Sequence, residues 1–204
     1  RLMCMEAGVD MQRARTGALL SSEMREMLDT CEVWQNRLHI DDTAAIDINE
    51  LAAKARRHHS QFGLDFLAVD YIQLVTTTAH KGERRELQVA KVSRELKKLA
   101  KELNIVVLAL AQVGRGCEER PDKKPMLYDL RESGSMEQDA DNVGFLYRPG
   151  YYGFNQDVKG EDLSETGMYI AAKSRNGPTG NFWMRWNASS TDYSDLEPTD
   201  PLFG

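Results

Sequence analysis

Cysteine, positive charge and long apolar runs are all scarce in this chain. The three cysteines among 204 residues, Cys4, Cys31 and Cys117, are widely spaced and form no CxxC pair. That excludes a disulfide framework and a zinc-knuckle spacing, and it fits a reduced, cytoplasmic-type compartment. The net charge is −6. Any nucleic-acid surface must therefore be a local basic patch and not a property of the whole chain. No apolar run approaches the ~20 residues needed to cross a bilayer, so no membrane partner is expected. There is no Gly-Lys dipeptide, and hence no phosphate-cradling GxxxxGK[ST] loop, within the 204 residues. The chain opens on Arg1, and RLMCMEAGVD reads as a helix end, so it is expected to begin inside a larger protein.

What remains is the composition of a globular domain, 41% hydrophobic and 28% charged. Asp47, with Glu50 three residues on, resembles a capping box opening a helix through INELAAKARRHH, with Ile48, Leu51, Ala52 and Ala55 on one face. Gln61-Phe62-Gly63 closes it. Phe66 to Asp70, FLAVD, follows as a strand without alternation, so both of its faces should be covered. A loop AHKGERR then leads to a helix from Leu87 to Leu103, with Val89, Val92, Leu96, Leu99 and Leu103 at helical spacing. Asn104 stops it, and IVVLALAQ, Ile105 to Gln112, is a second buried-type strand. Strand, helix and strand make a βαβ unit.

Gly114 to Pro125 is polar loop, and Asn142 to Tyr147 and Met168 to Arg175 are later strands. After the turn NGPTG, Asn181 to Trp186 should return antiparallel as an edge hairpin. Residues 1–187 read as one domain, and the acidic stretch 188–204 as a weakly ordered tail.

In open parallel sheets, ligands bind beyond the carboxyl ends of strands. Asp70 ends one apolar strand and Gln112 the next, so two polar side chains reach one edge. Four apolar residues followed by Asp is the pattern of a Walker B aspartate, which helps to hold Mg²⁺ on a nucleotide. A strand-end aspartate can equally cap the following turn. Lys173 and Arg175, two apart near a strand end, project to one face and suit a phosphate as well as they suit solvent.

The adjacent His58 and His59 do not face the same way on a helix and read as a solvated helix end. From Lys81 to Lys101 there are eight basic residues against three acidic ones, either a solvated face or a surface for DNA. Trp183 and Trp186 point to opposite strand faces and read as packing residues.

Taken in order, AVDYIQLV, VSRELKKLAKELN, VVLALAQVGR, DLRESGSMEQDADNVGFLYR and AAKSRNGPTG resemble the ATPase domain of the bacterial replicative DNA helicase, the DnaB family. The resemblance runs to about Asn187. It implies a RecA-like α/β P-loop ATPase core: a mostly parallel twisted sheet flanked by helices, with the antiparallel edge hairpin at its C-terminal side.

It further implies the motor of a hexameric, ATP-dependent DNA helicase that translocates on single-stranded DNA and unwinds duplex at the replication fork. Asp70 resembles the Walker B aspartate that holds Mg²⁺ through ATP. Gln112 resembles the γ-phosphate-sensing glutamine, and Lys173 and Arg175 the pair that reaches a neighbour's nucleotide, with Arg175 as arginine finger. Arg131, Glu132 and Gly134 resemble the loop that grips single-stranded DNA. Primase, a helicase loader and a bacterial or phage-encoded cytoplasmic setting are implied as well.

The family's Walker A loop has no counterpart in these residues. The N-terminal part of the core is therefore expected to be missing, and the 204 residues alone to be inactive. The alternatives are a non-catalytic RecA-like module that binds DNA or a helicase ring, and a RecA-type recombinase, which the RESGSMEQDAD and KSRNGP segments disfavour.

Overall fold

The computed structural model describes residues 1–35, 37–78, 84–157 and 159–197, with the side chains of 131–135 excluded. Most of the loop expected at AHKGERR, 79–83, lies outside the described residues. The elements are helices α1 (Leu2–Glu6), α2 (Met11–Thr16), α3 (Ser21–Trp34), α4 (Ile48–Phe62), α5 (Arg85–Leu103) and α6 (Gly134–Asp139), with strands β1 (Phe66–Val69), β2 (Val106–Ala109), β3 (Asn142–Tyr147), β4 (Thr166–Ser174), β5 (Gly180–Asn187) and β6 (Asp192–Asp195). β1 and β2 form a two-stranded sheet, and the other four strands a sheet in the order β3-β4-β5-β6.

Where one domain was expected, the chain divides into two compact units. One comprises 1–41, 146–170 and 181–204, the other 42–145 and 171–180.

In the second unit, β1 and β2 pair in parallel, Phe66 opposite Val106 and Val69 opposite Ala109, joined through α5. α5 forms because its apolar residues recur every three or four positions, and Val89, Val92, Leu96 and Leu99 are buried. Burial of each such side chain contributes about 1.5–3 kcal/mol. Asn104 ends the helix in the left-handed region at φ 54°, which asparagine tolerates.

The core joins Ala52 and Ala55 of α4 to Leu99 of α5, with Leu51, Leu64, Leu67 and Leu103 around them. Asp47 caps α4 as expected, accepting from the Asn49 amide at 2.8 Å. Glu50 does not complete a reciprocal box and pairs instead with Lys54 at 3.4 Å.

The apolar strands are covered on one face only. Phe66, Val106 and Leu108 are 52%, 62% and 46% exposed. Because side chains alternate along a strand, these three share the face opposite Leu67, the side chain packed against the α4–α5 core. An apolar run without alternation marks a strand that can be buried on both sides; the two helices α4 and α5 supply cover for one.

In the first unit, Trp186 of β5 is buried, with the Arg148 guanidinium 4.0 Å from its ring centroid and Tyr193 4.7 Å away. A Cβ on Gly167 would lie 2.4 Å from the Tyr193 ring, so that aromatic contact requires glycine there. The edge hairpin is displaced from its expected place. β5 pairs antiparallel with β6, Trp186 opposite Tyr193, so strand pairing continues into the stretch expected to be a loose tail. Tyr193 supplies the apolar contact that an otherwise acidic, polar segment lacks. Among the described residues no helix is long and apolar enough to cross a membrane.

Candidate functional site

All four expected nucleotide-facing residues with described side chains fall in the second unit. Asp70 and Gln112 follow the carboxyl ends of the paired strands β1 and β2, as the strand pattern requires. Asp70 is exposed and Gln112 lies within three residues of the last strand pair. The Asp70 carboxylate has no hydrogen-bond or ion-pair partner among the described residues, so it does not cap the turn that follows. The Asp70–Tyr71 peptide is cis.

Beyond the last paired residues the main chains stay linked. Leu110 N–H donates to the Val69 carbonyl at 3.0 Å, and Ile72 N–H to the Leu110 carbonyl at 2.9 Å. Then a side chain takes over. Gln73 Nε2 donates to the Gln112 carbonyl at 3.2 Å, while the Gln112 N–H donates to Gln73 Oε1 at 3.3 Å. A carboxamide carries the same donor and acceptor as a peptide, so Gln73 prolongs the pairing by one residue. Gln73 is itself anchored through its carbonyl, which accepts from Arg85 Nη2 at the start of α5.

A second anchor follows Gln112. The Gly114 N–H donates to the Asp129 carbonyl at 3.2 Å. A Cβ at Gly114 would stand 3.2 Å from that same oxygen, so any larger residue crowds the contact. The Asp129 side chain, 1% exposed, forms a two-pronged ion pair with Arg120, Nη1 to Oδ1 at 2.9 Å and Nη2 to Oδ2 at 2.6 Å. The Met126 N–H adds a bond to Oδ2 at 2.7 Å.

Burial alone would raise the Asp129 pKa. The Arg120 and Met126 hydrogen bonds and the Arg120 charge outweigh it and hold the carboxyl below its ordinary value. Burial, with the nearby Asp129 charge, pushes the Cys117 thiol up, which keeps it a poor nucleophile. Asp129 lies in the helical turn Leu127–Ser133 that runs directly into α6. The backbones of Arg131, Glu132 and Gly134 belong to that turn and to the start of α6; their side chains lie outside the described residues.

Lys173 and Arg175 are not open to solvent in the way a waiting phosphate pair was expected to be. Both face the C-terminal end of α6. Lys173 Nζ donates to the Glu137 carbonyl and, at 2.8 Å, to the Ala140 carbonyl. Arg175 Nη2 donates to the Gln138 carbonyl at 3.4 Å, and Nη1 pairs with Asp141 Oδ1 at 3.1 Å. The physical reason is the helix end, whose last carbonyls lack intrahelical partners and attract cations.

Asp141 also accepts from Lys97 of α5. The Lys97 hydrogen bond, with the charges of Lys97, Arg175 and Lys101, holds the Asp141 carboxyl below its ordinary value against a smaller opposing effect of burial. Among the described residues no hydrogen bond or ion pair joins this cluster to Asp70 or Gln112.

Gln73, Asp129 and Asp141 do not stand out in the sequence. Gln73 carries one usable signal, a polar residue three positions after a strand-end aspartate. For the other two the partner lies too far along the chain to be read locally.

The fit of Mg²⁺-nucleotide to these residues rests on Asp70. An exposed, unpaired carboxylate at a strand end suits a hydrated Mg²⁺, which keeps several waters and takes one or two carboxylates.

Comparison with known proteins places this geometry. Residues 1–195 match the family model described as the DnaB-like helicase C terminal domain. The replicative DNA helicase DnaC of Bacillus subtilis is 38% identical over 198 residues, and the replicative DNA helicase DnaB of Geobacillus stearothermophilus 39% over 198. In both cases the match covers 97% of this chain but 42% of the relative, so the chain spans less than half their length. Among solved structures, a DnaB-like replicative helicase, solved in a study of its interactions with primase, superposes with a TM-score of 0.84 at 33% identity, covering 96% of this chain and 46% of that one. A second solved structure, of an isolated ATPase domain, also gives 0.84 at 33% identity, covering 96% of this chain and 69% of that one. The fold is thus the RecA-like α/β ATPase type.

Proposed function

Because the chain belongs to the family of DnaB-like helicase C-terminal domains, we propose that it is the motor portion of an ATP-dependent replicative DNA helicase, one that forms a homo-hexameric ring, translocates on single-stranded DNA and unwinds duplex. One observation carries the reading. Asp70 and Gln112 stand at the carboxyl ends of paired parallel strands, and Gln73 fixes their relative position with two hydrogen bonds.

Bound ATP supplies the scissile phosphoanhydride, and Mg²⁺ the charge neutralisation at its phosphates. Asp70 would hold the metal's water shell, and Gln112 would contact the γ-phosphate through a side chain whose backbone is already clamped. The Gly114–Asp129 contact then links the sensing strand to the turn that carries Arg131, Glu132 and Gly134. Backbone contacts from such a loop give sequence-independent grip, as a translocating motor requires. Lys173 and Arg175 would act on the nucleotide of the adjacent subunit. The family resemblance suggests primase and a helicase loader as partners, and a bacterial or phage-encoded cytoplasmic setting.

The test is ATP hydrolysis by the complete helicase chain, with and without single-stranded DNA. The reading predicts hydrolysis stimulated by DNA and abolished by Asp70→Ala. DNA binding without any hydrolysis by the unmodified chain would instead support a non-catalytic binding module.

A further inference from the structure

We propose that Asp141 is a positioning residue for the reaction: its carboxylate, held by Lys97, seats the Arg175 guanidinium so that the arginine is presented ready-ordered to its phosphate. The inference rests on the assignment of Arg175 made above.

Arg175 stands one residue beyond β4, and its side chain is 52% exposed. A long arginine in that setting would sample many rotamers, and fixing it at the moment of catalysis costs free energy. Three contacts remove that freedom in advance. The Arg175 N–H donates to the Asp141 carbonyl at 2.9 Å, which fixes the backbone. Nη1 meets Asp141 Oδ1 at 3.1 Å, and Nη2 the Gln138 carbonyl at 3.4 Å.

Of the five N–H donors of a guanidinium, these side-chain contacts use two. The other three stay available for phosphate oxygens, so the seat need not be vacated for the arginine to act. Asp141 is in turn held from the opposite side by Lys97 of α5, 24% exposed. The carboxylate thus has a cation on each oxygen, Lys97 on Oδ2 and Arg175 on Oδ1. A neutral or shortened side chain at 141 would leave Arg175 charged but unseated.

The pair contributes little to stability, because exposed ion pairs are weak. Its effect belongs in the orientation of one cation. It should therefore appear in kcat and not in nucleotide binding.

The experiment uses the complete hexameric enzyme with Asp141→Asn, Asp141→Glu, Lys97→Met and Arg175→Ala. For Asp141→Asn the expected result is a loss in kcat of about 3- to 10-fold, the equivalent of one long side chain left unordered. KM for ATP and the thermal midpoint should be unchanged. Affinity for ADP–aluminium fluoride, which mimics the transferring phosphoryl group, should fall by the same factor as kcat, while affinity for a non-hydrolysable ATP analogue stays put. Asp141→Glu should recover part of the loss, and Lys97→Met should show the same pattern more weakly.

If Arg175→Ala abolishes hydrolysis while Asp141→Asn matches the unmodified enzyme, the seat is not used and this inference alone is overturned. The same holds if kcat, KM and thermal midpoint all shift together, since that marks a structural role. If Arg175→Ala leaves hydrolysis intact, the assignment of Arg175 itself is what fails.

Discussion

The carboxamide of Gln73 grips the main chain of Gln112 at both its polar atoms, donating to the carbonyl at 3.2 Å and accepting from the N–H at 3.3 Å. It takes the place of a strand residue beyond the end of the β1–β2 pairing. The two strand-end residues that should read the nucleotide are thereby locked to one another.

Replacing Gln73 tests that lock. Gln73→Glu keeps an acceptor for the Gln112 N–H but sets an oxygen against the Gln112 carbonyl, 3.2 Å from where Nε2 stood. Gln73→Ala removes both bonds, each worth about 0.5–1.5 kcal/mol net. Amide hydrogen exchange at Gln112 should accelerate in both variants of the complete enzyme. Hydrolysis should fall further in Gln73→Glu than in Gln73→Ala, because repulsion displaces Gln112 where simple loss does not. Equal exchange rates in all three proteins would refute the lock.

The Arg120–Asp129 pair should carry stability. Asp129→Ala strands Arg120, 17% exposed, without its partner and should destabilise by about 3 kcal/mol in urea unfolding. The pH dependence has a fixed sign. The folded-state pKa of Asp129 lies below its ordinary value, so the stabilisation is complete above ~3.9 and is lost as pH falls through the lower folded value. The stability gap between the unmodified protein and Asp129→Asn should close in that acid range and not near neutrality.

Arg131 belongs to the turn that Asp129 anchors. In the complete enzyme, Arg131→Ala should weaken single-stranded DNA binding about equally across sequences and reduce the salt slope by about one phosphate contact, ~0.7 in log–log units. An unchanged affinity and slope would remove Arg131 from the DNA site.

Much of this is legible in the sequence, and the reasons differ by element. The β1, α5 and β2 segments announce themselves through apolar runs, helical spacing and the Asn104 stop. Asp70 and Gln112 stand out because a polar residue ending an apolar strand is conspicuous. The bare face of Phe66, Val106 and Leu108 is not legible, since a run without alternation says that both faces are apolar, not that both are covered. β6 escapes notice because Asp192-Tyr193-Ser194-Asp195 has one apolar residue and no alternation; it is Tyr193 against Trp186 that holds it. The Asp141 seat joins residues 44 positions apart at Lys97, and no local pattern encodes such a pairing.

The 204 residues alone should fold but not bind ATP. No P-loop amides, lysine or Mg²⁺-binding hydroxyl of the GxxxxGK[ST] type are present in them, and Asp70 with Gln112 offers no cradle for a triphosphate. Titration calorimetry with Mg²⁺ and a non-hydrolysable analogue should give no saturable heat. The exposed face of Phe66, Val106 and Leu108 should drive concentration-dependent association, which Val106→Thr with Leu108→Thr should reduce in light scattering. Saturable micromolar binding at one site per chain would reveal a nucleotide pocket other than the one built around Asp70 and Gln112.

The central claim is that Asp70 serves its own subunit's nucleotide while Arg175 serves its neighbour's. Subunit mixing tests it most directly. Arg175→Ala hexamers should bind nucleotide but lose about 10³–10⁵ in hydrolysis rate, as expected for an arginine finger, and Asp70→Ala hexamers should be inactive too. In mixed rings, an interface that joins an intact Asp70 on one subunit to an intact Arg175 on the next should work again. Measurable hydrolysis is therefore predicted in mixtures of the two dead parents under demonstrated subunit exchange; mixtures as inactive as either parent would contradict the claim.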